Sequence, residues 1–368
     1  METAKITGPQ LMIDRKKCLA NIEHISGKAR DNNVVFRPHF KTHQSLTIGR
    51  WFREYGVDRI TVSSLQMAAY FARDGWKDIL VGIAYNPREY SLYEELSARC
   101  RLLATVSCPE TARILAAQCR FPLEVMIKTD TGYNRTGIRW DDEQGLNETI
   151  KYLSTNSSLK IRGLMTHDGS TYGMNSRKEI VEQHARTVKR IMHCRDKAGI
   201  NGLTISLGDT PSASLADNFR GIDEIRPGNF VFYDLMQYFI GSCSFENIAL
   251  ALLCPVIDIR PGAETLVVHG GAVHLSKDSI IRDKRHVYGM LAPIDEAGWH
   301  EPQEKIYVTS LSQEHGIIEC TDKKLLQNTR PGDLLAIIPV HSCLTSHCMG
   351  SYILDNGDYV DHMRHEHR

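Results

Sequence analysis

Residues 34–43 read VVFRPHFKTH. Three apolar, β-prone residues run straight into Arg37, Pro38, His39, Lys41 and His43, with no glycine among them. An open doubly wound sheet that binds a nucleotide needs a glycine-rich phosphate turn after its first strand. This stretch has none, so the alternative α/β architecture, a (β/α)8 barrel, is preferred. A barrel also explains the polar cluster, because barrels carry their chemistry at the C-terminal ends of their strands.

The order of elements extends the reading outward. Further strand-like runs occur at Arg59–Val62, Ile79–Ile83, Leu102–Val106, Leu123–Lys128, Ile161–Met165, Leu203–Leu207 and Ile222–Ile225. Helical patterns separate them, among them Leu65–Phe71, Tyr90–Cys100, Pro109–Cys119, Asp142–Leu153 and Arg177–Ala198. The last carries Ile180, Val181, His184, Val188, Ile191 and Met192, an apolar face at helical spacing. After about Gly241 long helices stop, and short strand-like runs alternate with Pro-Gly, Gly-Gly and Asn-Gly turns. The expected layout is an α/β chain. Residues 15–245 form a (β/α)8 TIM-type barrel, and residues 246–368 form a mostly-β domain. Residues 1–14 join that domain, with Leu11-Met12-Ile13 adding a strand to it.

Composition narrows the class of function. The 368 residues hold 44 Lys+Arg against 44 Asp+Glu, so the electrostatic footprint of a nucleic-acid binder is missing. No run approaches the ~20 apolar residues of a membrane span. The first residues, METAKITGPQLMIDRK, lack the apolar core of a signal peptide. The ten cysteines have no framework spacing, which points to reduced thiols in the cytoplasm.

The strand ends collect reactive side chains. The first run ends at Lys41, the fifth at KTDTGYNRTGI (residues 128–138), and the sixth at His167 with Tyr172 behind it. The seventh ends at GDTPS (208–212) and the eighth at RPGN (226–229). A lone strand-end lysine is usually structural, and either loop could be a plain turn. Two anion-cradling loops opposite a lysine able to form a Schiff base suggest a phosphorylated carbonyl cofactor. Pyridoxal phosphate fits best. In the C-terminal part, PVHSCLT places His341 and Cys343 two apart after an apolar strand. In extended chain they share a face, which is half of a tetrahedral zinc site. Alone, H-x-C is a weak pattern, and a buried structural pair is the commoner meaning. His347 and Cys348 rank below them, because adjacent strand residues point opposite ways.

RPHFKTH, KTDTGYNRTGI, GLMTHDG, GDTPS, EIRPGNFVFYD, SQEHG and GDLLAIIPVHSCLT together resemble the D-serine dehydratase and D-threonine aldolase family. These are fold-type III pyridoxal-phosphate enzymes related to alanine racemase. The resemblance covers nearly the whole chain. It implies that Lys41 carries the cofactor and that Arg135 lies near its phenolic oxygen. It implies that His167 packs near the pyridine ring, with Tyr172 close by, and that Arg226 faces the pyridine nitrogen. Thr210, Ser212, Gly228 and Asn229 would hold the phosphate, and Tyr233 is a further position there. His341 and Cys343 would bind a divalent metal, zinc by the chemistry of the ligands. The implied activity is a pyridoxal-phosphate- and metal-dependent lyase on D-3-hydroxy amino acids, D-serine dehydratase-like. D-threonine aldolase is the alternative, with His39, His43 or His315 assisting a base. A racemase using Tyr288, or a non-catalytic cofactor carrier, ranks lower. A homodimer is implied as well. Gln44 and SHCMGSY (346–352) depart from the family pattern and bear on substrate choice.

Overall fold

The computed structural model describes residues 6–295 and 298–365. The chain forms two compact units. One comprises Glu23–Lys41 and Gly49–Gly228; the other takes in residues up to Ile22, Thr42–Ile48 and Asn229 onward.

The strands up to residue 225 are β1 (Gln10–Ile13), β2 (Val35–Phe36), β3 (Ile60–Val62), β4 (Asp78–Ala84), β5 (Arg101–Val106), β6 (Leu123–Asp130), β7 (Ile138–Arg139), β8 (Leu159–Thr166), β9 (Thr204–Leu207) and β10 (Glu224–Ile225). Eight of them form one parallel sheet in the order β2-β10-β9-β8-β6-β5-β4-β3. A parallel bridge between His39 and Thr61 joins its two ends and closes the barrel. Pro38 has no N–H to give the ladder, so β2 stops before it. The backbone then bonds from Phe40 N–H to the Thr61 carbonyl, and from Thr61 N–H to the Pro38 carbonyl, each at 2.9 Å. The segment that decided the fold in sequence is thus the closing seam of the barrel.

The interior is part apolar and part ionic. Leu80, Leu103, Met126 and Met165 form a buried cluster. Beside it runs a chain of paired groups. Arg37 bonds Asp78 at 2.6 Å and Glu224 at 2.7 Å, and Ser206 Oγ donates to Glu224 at 2.7 Å. Arg226 Nε donates to Ser206 Oγ at 2.7 Å. Arg101 continues the chain from Asp78 to Glu124. Buried charges persist only when paired in this way. Helix Arg177–Ala198 keeps its expected bounds. Ser176 caps its first turn, and Gly199 ends it at φ +62°, where a side chain would be strained.

The other unit is built from β1 and from β11 (Leu250–Arg260), β12 (Thr265–His269), β13 (Ile280–Arg282), β14 (Arg285–Val287), β15 (Gly289–Ala292), β16 (Ile294–Asp295), β17 (Gly298–Trp299), β18 (Tyr307–Leu311), β19 (His315–Glu319), β20 (Leu334–Pro339), β21 (Tyr352–Leu354) and β22 (Tyr359–Val360). Nine of them make a sheet in the order β12-β19-β18-β15-β20-β11-β1-β21-β22. β1 pairs antiparallel with β11, Leu11 opposite Leu252, and parallel with β21, Met12 opposite Ile353. Leu11-Met12-Ile13 does add a strand to the C-terminal sheet, and all three side chains are buried.

Candidate cofactor and metal sites

The C-terminal rim of the barrel gathers four cations and two imidazoles. Arg226 and Lys128 are buried. Arg226 donates to the Thr166 carbonyl at 2.6 Å as well as to Ser206. Burial draws its guanidinium down to about 10, against the pull of Glu224. Lys128 is drawn down to about 8 by burial and then by Arg135, Arg226 and Lys41. His39 and His167 are held neutral, first by burial and next by the charge of Lys41; Arg226 and Lys128 act on both rings as well. Lys41 and Arg135 themselves are exposed. Arg135 lies over the Tyr133 ring at 5.4 Å. A concentration of positive charge that discharges its own imidazoles is matched by an anionic ligand.

GDTPS supplies the uncharged part of the rim. Asp209 caps the helix Thr210–Leu215, accepting from Ser212 N–H at 2.6 Å. Thr210 and Ser212 are buried, and Thr210 Oγ1 has no partner among the described residues. A buried hydroxyl without a partner is costly unless a ligand satisfies it. Tyr172 Oη accepts from Thr210 N–H at 3.3 Å, and its ring lies 6.2 Å from that of His167. Next to RPGN, the Pro227 carbonyl accepts from His39 N–H at 2.9 Å. Lys41, Lys128, Arg135, Arg226, Thr210 and Ser212 therefore fit a cofactor with a phosphate and an aldehyde. Gly228 ends this unit at the RPGN turn, and Asn229 begins the other.

In the β-rich unit, β20 runs into His341. The extended reading of His-x-Cys is corrected here. His341 is the residue before the helix Ser342–Met349, and Cys343 sits in that helix's first turn. Asp234 explains the turn: its Oδ2 accepts from Ser342 N–H at 2.9 Å, from Ser342 Oγ and from Asn229 Nδ2. That carboxylate starts a helix where the apolar run predicts more strand. His347 and Cys348 lie on the same helix, and His347 Nδ1 is 3.2 Å from Gln44 Nε2.

The two ligating groups still converge. His341 Nδ1 lies 2.6 Å from Asp278 Oδ2. Burial opposes a charge on this ring, but Asp278 and then Cys343 push it up to about 10. Thr42 Oγ1 lies 3.3 Å from Cys343 Sγ, and Asn229 Nδ2 lies 3.8 Å from it. An imidazole fixed at Nδ1 by a carboxylate presents Nε2, and a thiol beside it completes an N,S donor pair. This pair fits a zinc-like ion better than magnesium or calcium.

Comparison with known proteins follows the same division. Residues 13–235 match the family "Alanine racemase, N-terminal domain", and residues 249–354 match "Putative serine dehydratase domain". The chain belongs to the alanine racemase N-terminal domain family. It is 29% identical over 348 residues to the D-threo-3-hydroxyaspartate dehydratase of Delftia sp. (strain HT23), covering 92% of this chain and 91% of that one. It is 27% identical over 362 residues to the D-serine dehydratase of Dictyostelium discoideum, covering 92% and 90%. The solved Delftia dehydratase superposes with a TM-score of 0.89 at 27% identity, over 97% of this chain and 98% of that one. A cysteine-to-alanine mutant of that enzyme is described as the metal-free form.

Two participants escaped the sequence reading, and a third, Lys128, was placed at a strand end without a role. Lys128 closes the apolar run LEVMIK, and a charge at the inner end of a buried strand was its signal. Asp234 and Asp278 gave none. Each is an ordinary loop aspartate until the fold brings it to Ser342 or His341.

Proposed function

We propose that this protein is a pyridoxal-phosphate- and divalent-metal-dependent lyase on D-3-hydroxy amino acids. It acts as D-serine dehydratase does, by β-elimination to a 2-oxo acid and ammonia. The observation that carries this reading is the His341–Cys343 pair with Asp278 on the far ring nitrogen. It lies inside the segment that matches a serine dehydratase domain.

Lys41 would hold the cofactor through Nζ. The same amine would be the base for the substrate's α-proton, work that contributes ~10²–10⁴-fold as general-base catalysis. Arg226, tied to the Thr166 carbonyl and Ser206, would present to the pyridine nitrogen a charge that cannot swing away. Thr210 Oγ1 and the N-terminal turn at Ser212 would take the phosphate oxygens. Gly228, with Asn229 as the next residue of the chain, would complete that cradle, and Arg135 would meet the phenolic oxygen. His167, kept neutral, packs by the ring and adds no charge to an already cationic rim. Bound pyridoxal phosphate supplies an electron sink for the bond broken at Cα. His341 and Cys343 would hold a divalent ion, zinc by the chemistry of its donors, and such an ion would supply Lewis acidity toward the β-hydroxyl. The protein works as a cytoplasmic homodimer in this reading; ten cysteines with no disulfide among them suit a reducing compartment.

The test is to give holoprotein D-serine, D-threo-3-hydroxyaspartate and D-threonine, with and without a chelator. We expect 2-oxo acid and ammonia, lost on chelation and restored by zinc. Glycine plus an aldehyde as the product makes the enzyme an aldolase. A changed enantiomer ratio alone makes it a racemase. Bound cofactor without turnover makes it a carrier.

A further inference from the structure

The β-rich unit holds a second set of ligating side chains that the reaction above does not use. The segment HGGAVHLSKD (269–278) leaves β12 at His269, turns through Gly270-Gly271 and enters a short helix, Ala272–Leu275, that positions His274. The turn into β19 presents Glu314, one residue before His315, which pairs with His269 across the sheet. One ligating atom from each of His269, His274 and Glu314 lies within 4.8 Å of the other two.

The spacing is that of ligands around an ion. Glu314 Oε2 is 3.6 Å from His269 Nε2 and 3.9 Å from His274 Nε2. Both exceed hydrogen-bond length. Two ligands on a tetrahedral ion with bonds of ~2.0–2.2 Å stand about 3.4 Å apart. The two imidazoles meet edge to face, with ring centroids 5.3 Å apart and planes at 87°. They are not stacked on one another.

The approach is built into the backbone. Gly270 N–H donates to the Glu314 carbonyl at 2.9 Å, and Ala272 N–H to the Ser312 carbonyl at 2.8 Å. A Cβ at Gly271 would collide with the Gln313 carbonyl, and one at Gly316 would lie 2.7 Å from the Gly270 oxygen. Only glycine lets these two turns pass so closely. Burial lowers the affinity of His274 for a proton, with Glu314 opposing. Gly271 N–H points at His274 Nδ1 from 3.2 Å, which puts the ring proton on Nε2. Ligation through Nε2 moves that proton to Nδ1 and gives up this one contact.

We propose that His269, His274 and Glu314 form a second divalent-metal site, for zinc or a zinc-like ion, with its fourth position open to water. It shares no ligand with His341 and Cys343. An ion there pins the turn after β12 to the turn before β19.

The experiment is metal stoichiometry on the full-length holoprotein, stripped with chelator and titrated with Zn²⁺ or Co²⁺. Wild type should bind two equivalents. Cys343→Ala should keep one and lose the thiolate-to-cobalt charge-transfer band. The double variant His269→Gln, Glu314→Gln should keep one, with that band intact, and His274→Ala should match it. Thermal unfolding with and without Zn²⁺ guards against misfolded variants: the metal-dependent rise in Tm should persist in Cys343→Ala and shrink in the double variant. A single equivalent abolished by Cys343→Ala overturns the proposal. So does a second equivalent that survives loss of His269 and Glu314. An ion lost with His269 and Glu314 but indifferent to Cys343 leaves this site standing and removes the metal from the proposed reaction.

Discussion

The barrel rim and the end of β20 solve opposite problems. At the rim, charge of one sign is collected and fixed. Arg226 is tied through Ser206 to Glu224 of the buried ionic chain, and His39 and His167 are kept neutral by burial and then by the excess of positive charge. At the end of β20 the groups are an imidazole, two carboxylates and a thiol. One imidazole is aimed by one carboxylate, and a thiol stands in the first turn of a helix. The rim is arranged for an anion that brings its own charge. The β20 end is arranged for a cation that must be gripped by soft, oriented donors. The difference shows that an ionic scaffold can hold a cofactor site together before the cofactor arrives. A metal pair depends instead on one orienting contact.

The largest break in this comparison comes from Lys41→Ala. We expect loss of the cofactor's covalent absorption band and a fall in turnover of ~10⁴-fold, with metal content unchanged. Absorption spectra and elemental analysis on one sample check it; metal lost along with the band would mean the two regions are not chemically separate. Next is Glu224→Gln, which leaves Arg37 with Asp78 as its remaining carboxylate and takes the charged acceptor from Ser206. Removing one member of a buried ion pair costs ~3–5 kcal/mol, read as a shift in the denaturant midpoint. The β20 end should respond less. Asp278→Asn should weaken metal binding ~10–100-fold while the cofactor band stays. Competition with a chelator measures it, and an unchanged affinity would show that His341 needs no orienting carboxylate.

The narrowest effect is on acid stability. His184 is buried against Phe219, and burial outweighs its other contacts to lower its pKa to about 4. Between that value and 6.5 the unfolded chain binds the proton that the folded chain refuses. Stability is complete above about pH 6.5 and is lost as pH falls toward 4, by ~3 kcal/mol from this group. His184→Gln should flatten that part of the stability–pH curve, as urea midpoints at pH 4.5 and 7 would show. A slope equal to wild type would assign the acid loss to other groups.

Much of the barrel could be read from the chain because its information is local and ordered. Apolar runs, helical faces and polar strand ends recur in sequence, and a strand end stays at the rim wherever the strand lies in the ring. For that reason Lys41, His167, Thr210 and Arg226 could be named from their places in the order. The β-rich unit was legible only in outline. The hairpin β13–β14 and the strands β15 and β19 are short and give weak alternation, so they went unread.

Composition and order alone determined the class of fold and the residue types at the strand ends, since strand and helix periodicity act over neighbouring residues. Tertiary structure alone decided that His341 leaves a strand and Cys343 enters a helix, because Asp234, more than a hundred residues earlier, caps that turn. It alone brought Asp278 to His341 and Glu314 to the two histidines after β12. Those contacts join side chains far apart in the chain, and nothing in the local pattern of either partner depends on the other.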